Sequence, residues 1–302
     1  MYELLIIGGG PAGMTAAVYA ARKRIDALLL SKDVGGQVLW TAGVENYMGY
    51  QYIEGPELIQ KFEGQVAQFP LEQKIGQGAA ALSRTDAGFE VKTEGGDSYQ
   101  ARAVIIATGK RPRQLNVPGE EKLRGRGVTY CAICDGPIFA GEKVAVIGGG
   151  NSALEAADDM VKIAEHVYLV SLTPLTGDQI LIDRVKDASN LTIFLEHEVV
   201  EIEGSNRVEG ITMKELKTGE EKKLGVGGVF VEIGLIPNSG IVRGVAKLNG
   251  LGEIEVNCAC ETGVPGLFAA GDVTNVPEKQ IVVAAGEGAK AALQAHRYLQ
   301  RL

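Results

Sequence analysis

Apolar residues fall along the chain in short blocks separated by glycine-rich turns. Leu4-Leu5-Ile6-Ile7 leads into Gly8-Gly9-Gly10-Pro11-Ala12-Gly13, an Ala-rich stretch, and a second apolar run at Ala27–Leu30. Short apolar runs predict buried strands, and the Ala-rich stretch opening at a proline predicts a helix. Strand, tight turn, helix and strand in that order make a βαβ unit. At an offset of 140 residues the pattern returns: Val144-Ala145-Val146-Ile147, then Gly148-Gly149-Gly150-Asn151-Ser152-Ala153, an Ala-rich stretch, and Val167–Val170. Polar, turn-punctuated hairpins follow in both copies, at Glu94-Gly95-Gly96-Asp97 in the first and at Gly204-Ser205-Asn206 and Thr218-Gly219-Glu220 in the second. Each copy closes on a buried strand running into glycine, Ala103 to Gly109 and Gly228 to Gly234, with Pro112 or Pro237 turning the chain out of the sheet.

Both turns read G-x-G-x-x-G/A, the spacing of a dinucleotide-binding unit. Gly8 and Gly148 allow the tight turn, Gly10 and Gly150 let backbone approach a pyrophosphate, and Gly13 and Ala153 let helix pack closely on strand. The helix N-terminus then offers unpaired N–H groups to the anion. One such turn also arises for geometric reasons alone, but two in the same strand–helix context point to two nucleotide sites. The expected fold is α/β, with two Rossmann-like dinucleotide-binding domains of the FAD/NAD(P) type, the second inserted in the first, each with a small β-meander. The tail from about Gly250 is too short for a third unit. Its strand-like segment ends at Ala269-Ala270-Gly271-Asp272 and presents a carboxylate, and a helix follows from about Gln280 to Leu299, rich in small residues for close packing. The expected division is 1–113 with 246–302 around 114–245.

Composition narrows the function. At 302 residues, with 45% apolar and 23% charged residues, the chain is globular and long enough for about two domains. A net charge of −8 and the lack of any Lys/Arg block argue against nucleic acid. Apolar runs such as Ala103–Ala107 fall far short of the roughly 18 residues a membrane span needs, and the N-terminus has no basic segment followed by an apolar one. A soluble cytoplasmic protein is expected. Four cysteines cannot frame a core of this size, so a close pair points to redox or metal chemistry.

That pair is Cys131-Ala132-Ile133-Cys134, followed by Asp135 and placed just before the second βαβ unit. Two thiols at this spacing can close a small disulfide ring, and a helix start favours the attacking thiolate. Zinc would need four ligands, and Cys258-x-Cys260 supplies a poor second pair; two unrelated buried thiols are the other alternative. Next to two nucleotide sites, a redox pair is the most economical reading. Asp135 is either a turn or N-cap residue or, if buried, a proton relay to a departing thiolate. Cys258 and Cys260 read as small strand residues, and His166, His197 and His296 lie in separate segments with no assigned role.

These residues resemble the low-molecular-weight thioredoxin reductases, and still more the reductase portion of the flavoprotein subunit of alkyl hydroperoxide reductase. The resemblance spans essentially the whole chain, through Gly8–Gly13, Gly35-Gly36-Gln37, Glu45-Asn46-Tyr47, Ala107-Thr108-Gly109, Gly127 to Pro137, Gly148 to Ser152, Ala269 to Asp272 and Lys279-Gln280-Ile281. It implies FAD in the first domain, a nicotinamide nucleotide in the second, a homodimer, and a thioredoxin-like protein as partner. On that resemblance Gly8, Gly10, Pro11, Ala12 and Gly13 hold the FAD pyrophosphate, and Gly36, Gln37 and Asn46 line the flavin. Thr108, Gly109 and Gly271 complete the FAD site, Asp272 bonds the ribityl or phosphate region, and Gln280 and Ile281 lie near the isoalloxazine. Gly148, Gly150, Asn151, Ser152, Glu155 and Gly234 serve the nicotinamide nucleotide. Cys134 faces the flavin, Cys131 attacks the external disulfide, and the two domains alternate between two orientations about hinges near 112–118 and 243–248.

Two departures matter. The alkyl hydroperoxide reductase relative carries an N-terminal thioredoxin-fold segment whereas this chain begins at its first strand, so a separate acceptor protein is expected. The NADPH-using relatives place a His-Arg-Arg cluster and a further Arg after the second strand of the nicotinamide domain. Here no Lys or Arg occurs between Lys162 and Arg184, so a 2′-phosphate lacks charge compensation. The acid that marks NADH is also missing, at Ser171; either Ser171, Thr173 or Asp178 substitutes for it or the site is degenerate. NADH is the expected donor, followed by another donor such as reduced ferredoxin, with NADPH last. An FAD-dependent thioredoxin-disulfide reductase is the resulting expectation, and a flavin redox sensor is the alternative from a different class.

Overall fold

The computed structural model describes residues 1–41 and 43–302. Its first sheet is laid down by β1 (Tyr2–Gly9), α1 (Pro11–Arg22), β2 (Ala27–Val34), α2 (Gly55–Val66), β3 (Glu72–Ile75) and the meander β4 (Ala79–Thr85), β5 (Gly88–Thr93) and β6 (Ser98–Ile106). Strand order is β3-β2-β1-β6-β5-β4. The strands β3, β2, β1 and β6 run parallel, while β4 and β5 return antiparallel. Both faces of β1 are covered, which is why its apolar run is continuous: Leu4 and Ile6 enter one core cluster with α1 and α2, and Leu5 and Ile7 enter another.

The chain then passes through β7 (Lys110–Pro112) into a second sheet. Its elements are β8 (Val128–Thr129), α3 (Ala132–Asp135), β9 (Lys143–Ile147), α4 (Asn151–Met160), β10 (His166–Ser171), α5 (Gln179–Lys186) and β11 (Leu191–Leu195). A meander of β12 (His197–Glu203), β13 (Gly210–Glu215) and β14 (Glu221–Leu224) follows, then β15 (Gly228–Val231) and β16 (Leu235–Pro237). The order β11-β10-β9-β15-β8 is parallel throughout, again with alternate residues of β9 in two separate cores.

The two crossings between the sheets pair with each other. β7 and β16 run antiparallel, with Pro112 opposite Leu235 and Lys110 opposite Pro237. Beyond them Ile241 and Val242 pack with Leu5 and Ile7, so the chain has rejoined the first core before residue 246, where the sequence pattern put the return. Val245, Ala246 and Leu248 pack against the same core. The tail ends in β17 (Leu267–Ala269), parallel to β6, and α6 (Ile281–Leu299), which crosses α1. A Cβ at Gly288 would fall 2.0 Å from the Ala12 carbonyl oxygen, so the small residues of α6 serve close helix approach. Among the described residues no helix is long and apolar enough to cross a membrane.

Candidate active site

The three motif glycines of the first turn, Gly8, Gly10 and Gly13, serve three different purposes. Gly8 has φ +118°, and a Cβ there would meet the Ala107 carbonyl oxygen at 2.2 Å. At Gly13 a Cβ would fall 1.8 Å from the Gly8 carbonyl oxygen, so this position serves packing of α1 on β1. Gly10 has no heavy atom within 4 Å of a would-be Cβ: its side is open. As N-cap of α1, Gly10 offers no side-chain acceptor, and the first turn carries no acid, which leaves backbone N–H groups for an anion. A cavity of about 1660 Å³ runs from this turn, lined by Gly8, Gly10, Pro11 and Ala12 together with Gly36, Gln37, Asn46, Thr108 and Gly109. Gly271, Asp272, Gln280 and Ile281 line it from the returning tail, and the Asn46 amide donates to Gln280 Oε1 at 3.2 Å. An open cradle on a helix N-terminus, with a long cavity beyond it, fits a dinucleotide such as FAD.

The same cavity is lined by Cys131, Cys134 and Asp135. The cysteines form a disulfide with Cα atoms 5.3 Å apart, and the Cys134 N–H points to Cys131 Sγ at 3.2 Å. Asp135 is buried. Its Oδ2 accepts the Thr129 hydroxyl and its Oδ1 has no hydrogen-bond partner among the described residues. Asp135 stands at the N-cap position of the short 3-10 turn Gly136–Phe139, but its side chain caps no backbone N–H there. Burial pushes its carboxyl up to about 6, against the Thr129 hydrogen bond. Glu232, just past β15, accepts the Ala132 N–H at 3.3 Å and so holds the start of the cysteine helix. Burial, joined by the nearby charge of Glu155, pushes Glu232 up to about 7. Two carboxyls with values near neutrality thus line the cavity together with the disulfide.

The second glycine turn is built like the first but faces elsewhere. Gly148 has φ +143° and packs on the Glu232 carbonyl, and Gly150 is open. Ser152 and Glu155 line the shared cavity, while Gly148, Gly150 and Asn151 do not. The Asn151 side chain accepts from the Asp178 N–H at 2.7 Å and donates to Asp178 Oδ2 at 3.1 Å, and the Thr176 N–H donates to the Gly149 carbonyl at 2.8 Å. The loop after β10 is thereby tied over the turn. Gly234 (φ +99°) lies against the Arg113 side chain and away from the cavity. Ser171 is buried, with its Oγ 2.3 Å from where a Gly149 Cβ would sit.

Several site residues escape sequence reasoning. Glu232 reaches the cysteine helix from just past β15, 100 positions away, while Thr129 reaches Asp135 from β8, directly before that helix. Ser31 accepts the Gly9 N–H at 2.7 Å; its match to Ser171 at the repeat offset was the available signal. Lys110 and Lys279 converge on buried Glu253 at 2.5 and 3.1 Å beside the cavity. Burial raises the carboxyl of Asp272 above its ordinary range, moderated by Lys279 and Lys110.

Comparison with known proteins places this geometry. The pyridine nucleotide-disulphide oxidoreductase profile matches residues 2–288. The chain belongs to that family. An alkyl hydroperoxide reductase subunit from Escherichia coli is 43% identical over 305 residues, covering 99% of this chain and 58% of the relative. A Bacillus subtilis protein named NADH dehydrogenase is 43% identical over 301 residues, covering 99% of this chain and 59% of its own. The chain therefore spans less than two thirds of these curated relatives. Among solved structures, thioredoxin reductase from Streptococcus pyogenes superposes with TM-score 0.95 at 38% identity, covering 100% of this chain and 99% of that one. Thioredoxin reductase from Lactococcus lactis, in its FR conformation, covers 100% of both chains at 35% identity with TM-score 0.69. As a pyridine nucleotide-disulphide oxidoreductase, the chain has the two-domain FAD/NAD(P)-binding fold of thioredoxin reductases.

Proposed function

We propose that this family member is an FAD-dependent thioredoxin-disulfide reductase that takes electrons from NADH and delivers them through Cys131 and Cys134 to a thioredoxin-like protein. The observation that carries the reading is the Cys131–Cys134 disulfide sharing one cavity with the open Gly8–Gly13 cradle. Bound FAD would supply two-electron transfer between a nicotinamide donor and that disulfide. The backbone of Gly10 to Ala12 would hold the pyrophosphate, with Gly36, Gln37 and Asn46 along the ring, Asp272 toward the ribityl chain, and Gln280 and Ile281 beside it. Once the pair is reduced, Cys131 attacks a sulfur of the partner disulfide, breaking that bond and forming a mixed disulfide. Cys134 then attacks Cys131, which restores the internal disulfide and releases the partner as a dithiol. Asp135, buried and poised near neutrality, holds the proton that a departing thiolate needs.

For the donor, the charge around the second turn supports NADH over NADPH. No cation lies between Lys162 and Arg184, and Arg184 is already paired with Asp158 at 3.2 Å. The name of the Bacillus subtilis relative agrees. The tie of Asn151 to Asp178 supports a second reading, a protein donor such as reduced ferredoxin. We also place the units at 1–112 with 238–302 around 113–237, in a cytoplasmic homodimer. Two TM-scores as different as 0.95 and 0.69 at full coverage support more than one arrangement of those units in relatives of this fold.

The test is anaerobic addition of NADH and then NADPH to the FAD-loaded chain, followed at the flavin absorbance. Bleaching by NADH alone supports the reading; comparable bleaching by NADPH overturns the charge argument, and silence toward both favours the protein donor. A Cys134→Ser variant should still bleach yet fail to reduce a thioredoxin, and retained turnover would remove the dithiol from the mechanism.

A further inference from the structure

Trp40, the single tryptophan, closes the short 3-10 turn Gly36–Trp40 of the first unit, next to the cavity. Across from it stand Arg124 and Tyr130 of the second unit, and Tyr130 directly precedes Cys131. The Arg124 guanidinium carbon lies 4.8 Å from the Trp40 ring centroid and 5.8 Å from that of Tyr130, and the two rings are 6.4 Å apart. Arg124 Nε is buried with no hydrogen-bond partner among the described residues, and the guanidinium faces the two rings. Backbone reinforces the contact: a Cβ at Gly125 would fall 3.0 Å from the Trp40 carbonyl oxygen. From this point a chain of bonds leads to the crossing segment. The Tyr130 hydroxyl donates to Glu120 Oε1 at 3.0 Å, and buried Glu120 accepts the Leu115 and Asn116 N–H groups at 2.9 and 2.7 Å.

We infer that Trp40 and Arg124 are positioning residues: their cation–π contact holds the disulfide-bearing unit against the first unit, and Tyr130 and Glu120 couple that contact to the segment on which the units would pivot. The inference rests on the proposed function only in needing the disulfide beside the flavin for one half of the cycle. A contact present in one arrangement and absent from the other sets their ratio. Removing a half-buried cation–π pair should shift that ratio about two- to thirtyfold. Lysine keeps charge without the planar stacking face, so Arg124→Lys should give an intermediate effect.

The experiment compares wild type with Arg124→Leu, Arg124→Lys and Trp40→Phe. In the chain without added cofactor, acrylamide quenching of Trp40 fluorescence should rise severalfold in Arg124→Leu and less in Arg124→Lys. Unchanged quenching overturns the contact as a hold. In the FAD-loaded chain under stopped flow, electron transfer from flavin to the disulfide should slow while NADH reduction of flavin speeds up. Opposite signs are the signature of a shifted ratio; two rates falling together, or neither moving, overturn the inference. A chain that takes up no FAD overturns the proposed activity instead, and the quenching result still decides the contact.

Discussion

Asp135→Asn isolates the cost of burying a carboxylate behind the disulfide. A rise of the Asp135 carboxyl from 3.8 to about 6 corresponds to about 3 kcal/mol at neutral pH. The folded chain holds this proton more tightly than the unfolded chain does. Stability in the wild type therefore falls as pH rises from the unfolded value through about 6, and is level above it. Asparagine has no charge to bury and keeps an acceptor for the Thr129 hydroxyl. The variant should thus exceed the wild type by up to about 3 kcal/mol near pH 8, and the gap should close toward pH 4. Urea unfolding of the oxidised chain, followed by far-UV circular dichroism at several pH values, reads the difference for the transition that melts the Asp135-bearing unit. A difference that stays constant with pH, or that grows as pH falls, would refute the burial argument.

Three further outcomes are expected. Gly10→Ala should leave thermal stability within about 0.5 kcal/mol, because its side is open, yet weaken FAD binding about tenfold or more by blocking backbone approach; Gly13→Ala should destabilise the chain by about 1–3 kcal/mol through contact with the Gly8 carbonyl. Titration with FAD and calorimetry separate the two. Glu253→Gln should cost about 3–5 kcal/mol, since it strands two largely buried ammonium groups. Burial opposes the charge of Glu253, but bonds from Lys110, Asn249 and Lys279 hold it below the usual carboxylate range, so its contribution is present at neutral pH and lost as pH falls. In the oxidised native chain a thiol reagent should modify exposed Cys258 alone, because Cys260 is buried and its thiol is pushed up to about 11 by that burial; unfolding without reduction should release the second, and two equivalents in the native chain would contradict it.

The local periods of the sequence determine a good deal of this protein. The run Leu4–Ile7 and its copy Val144–Ile147 are each covered on both faces, the helix expected from about Gln280 to Leu299 spans Ile281–Leu299, and the hairpin turns fall where glycine and polar residues punctuate the pattern. Turn chemistry and apolar spacing act over a few residues, so they are legible without a fold. The pairing of cysteines three residues apart is legible for the same reason. Tertiary structure alone decided which groups meet across the chain. Asn46 reaches Gln280 over 234 positions and Lys110 reaches Glu253 over 143. Trp40 meets Arg124 through the placement of two sheets, and Glu232 meets the cysteine helix because β15 lies between β8 and β9 in the second sheet. Such contacts carry no local signature, because burial, the carboxyl shifts it causes and the partner of each charge depend on what the rest of the fold brings alongside.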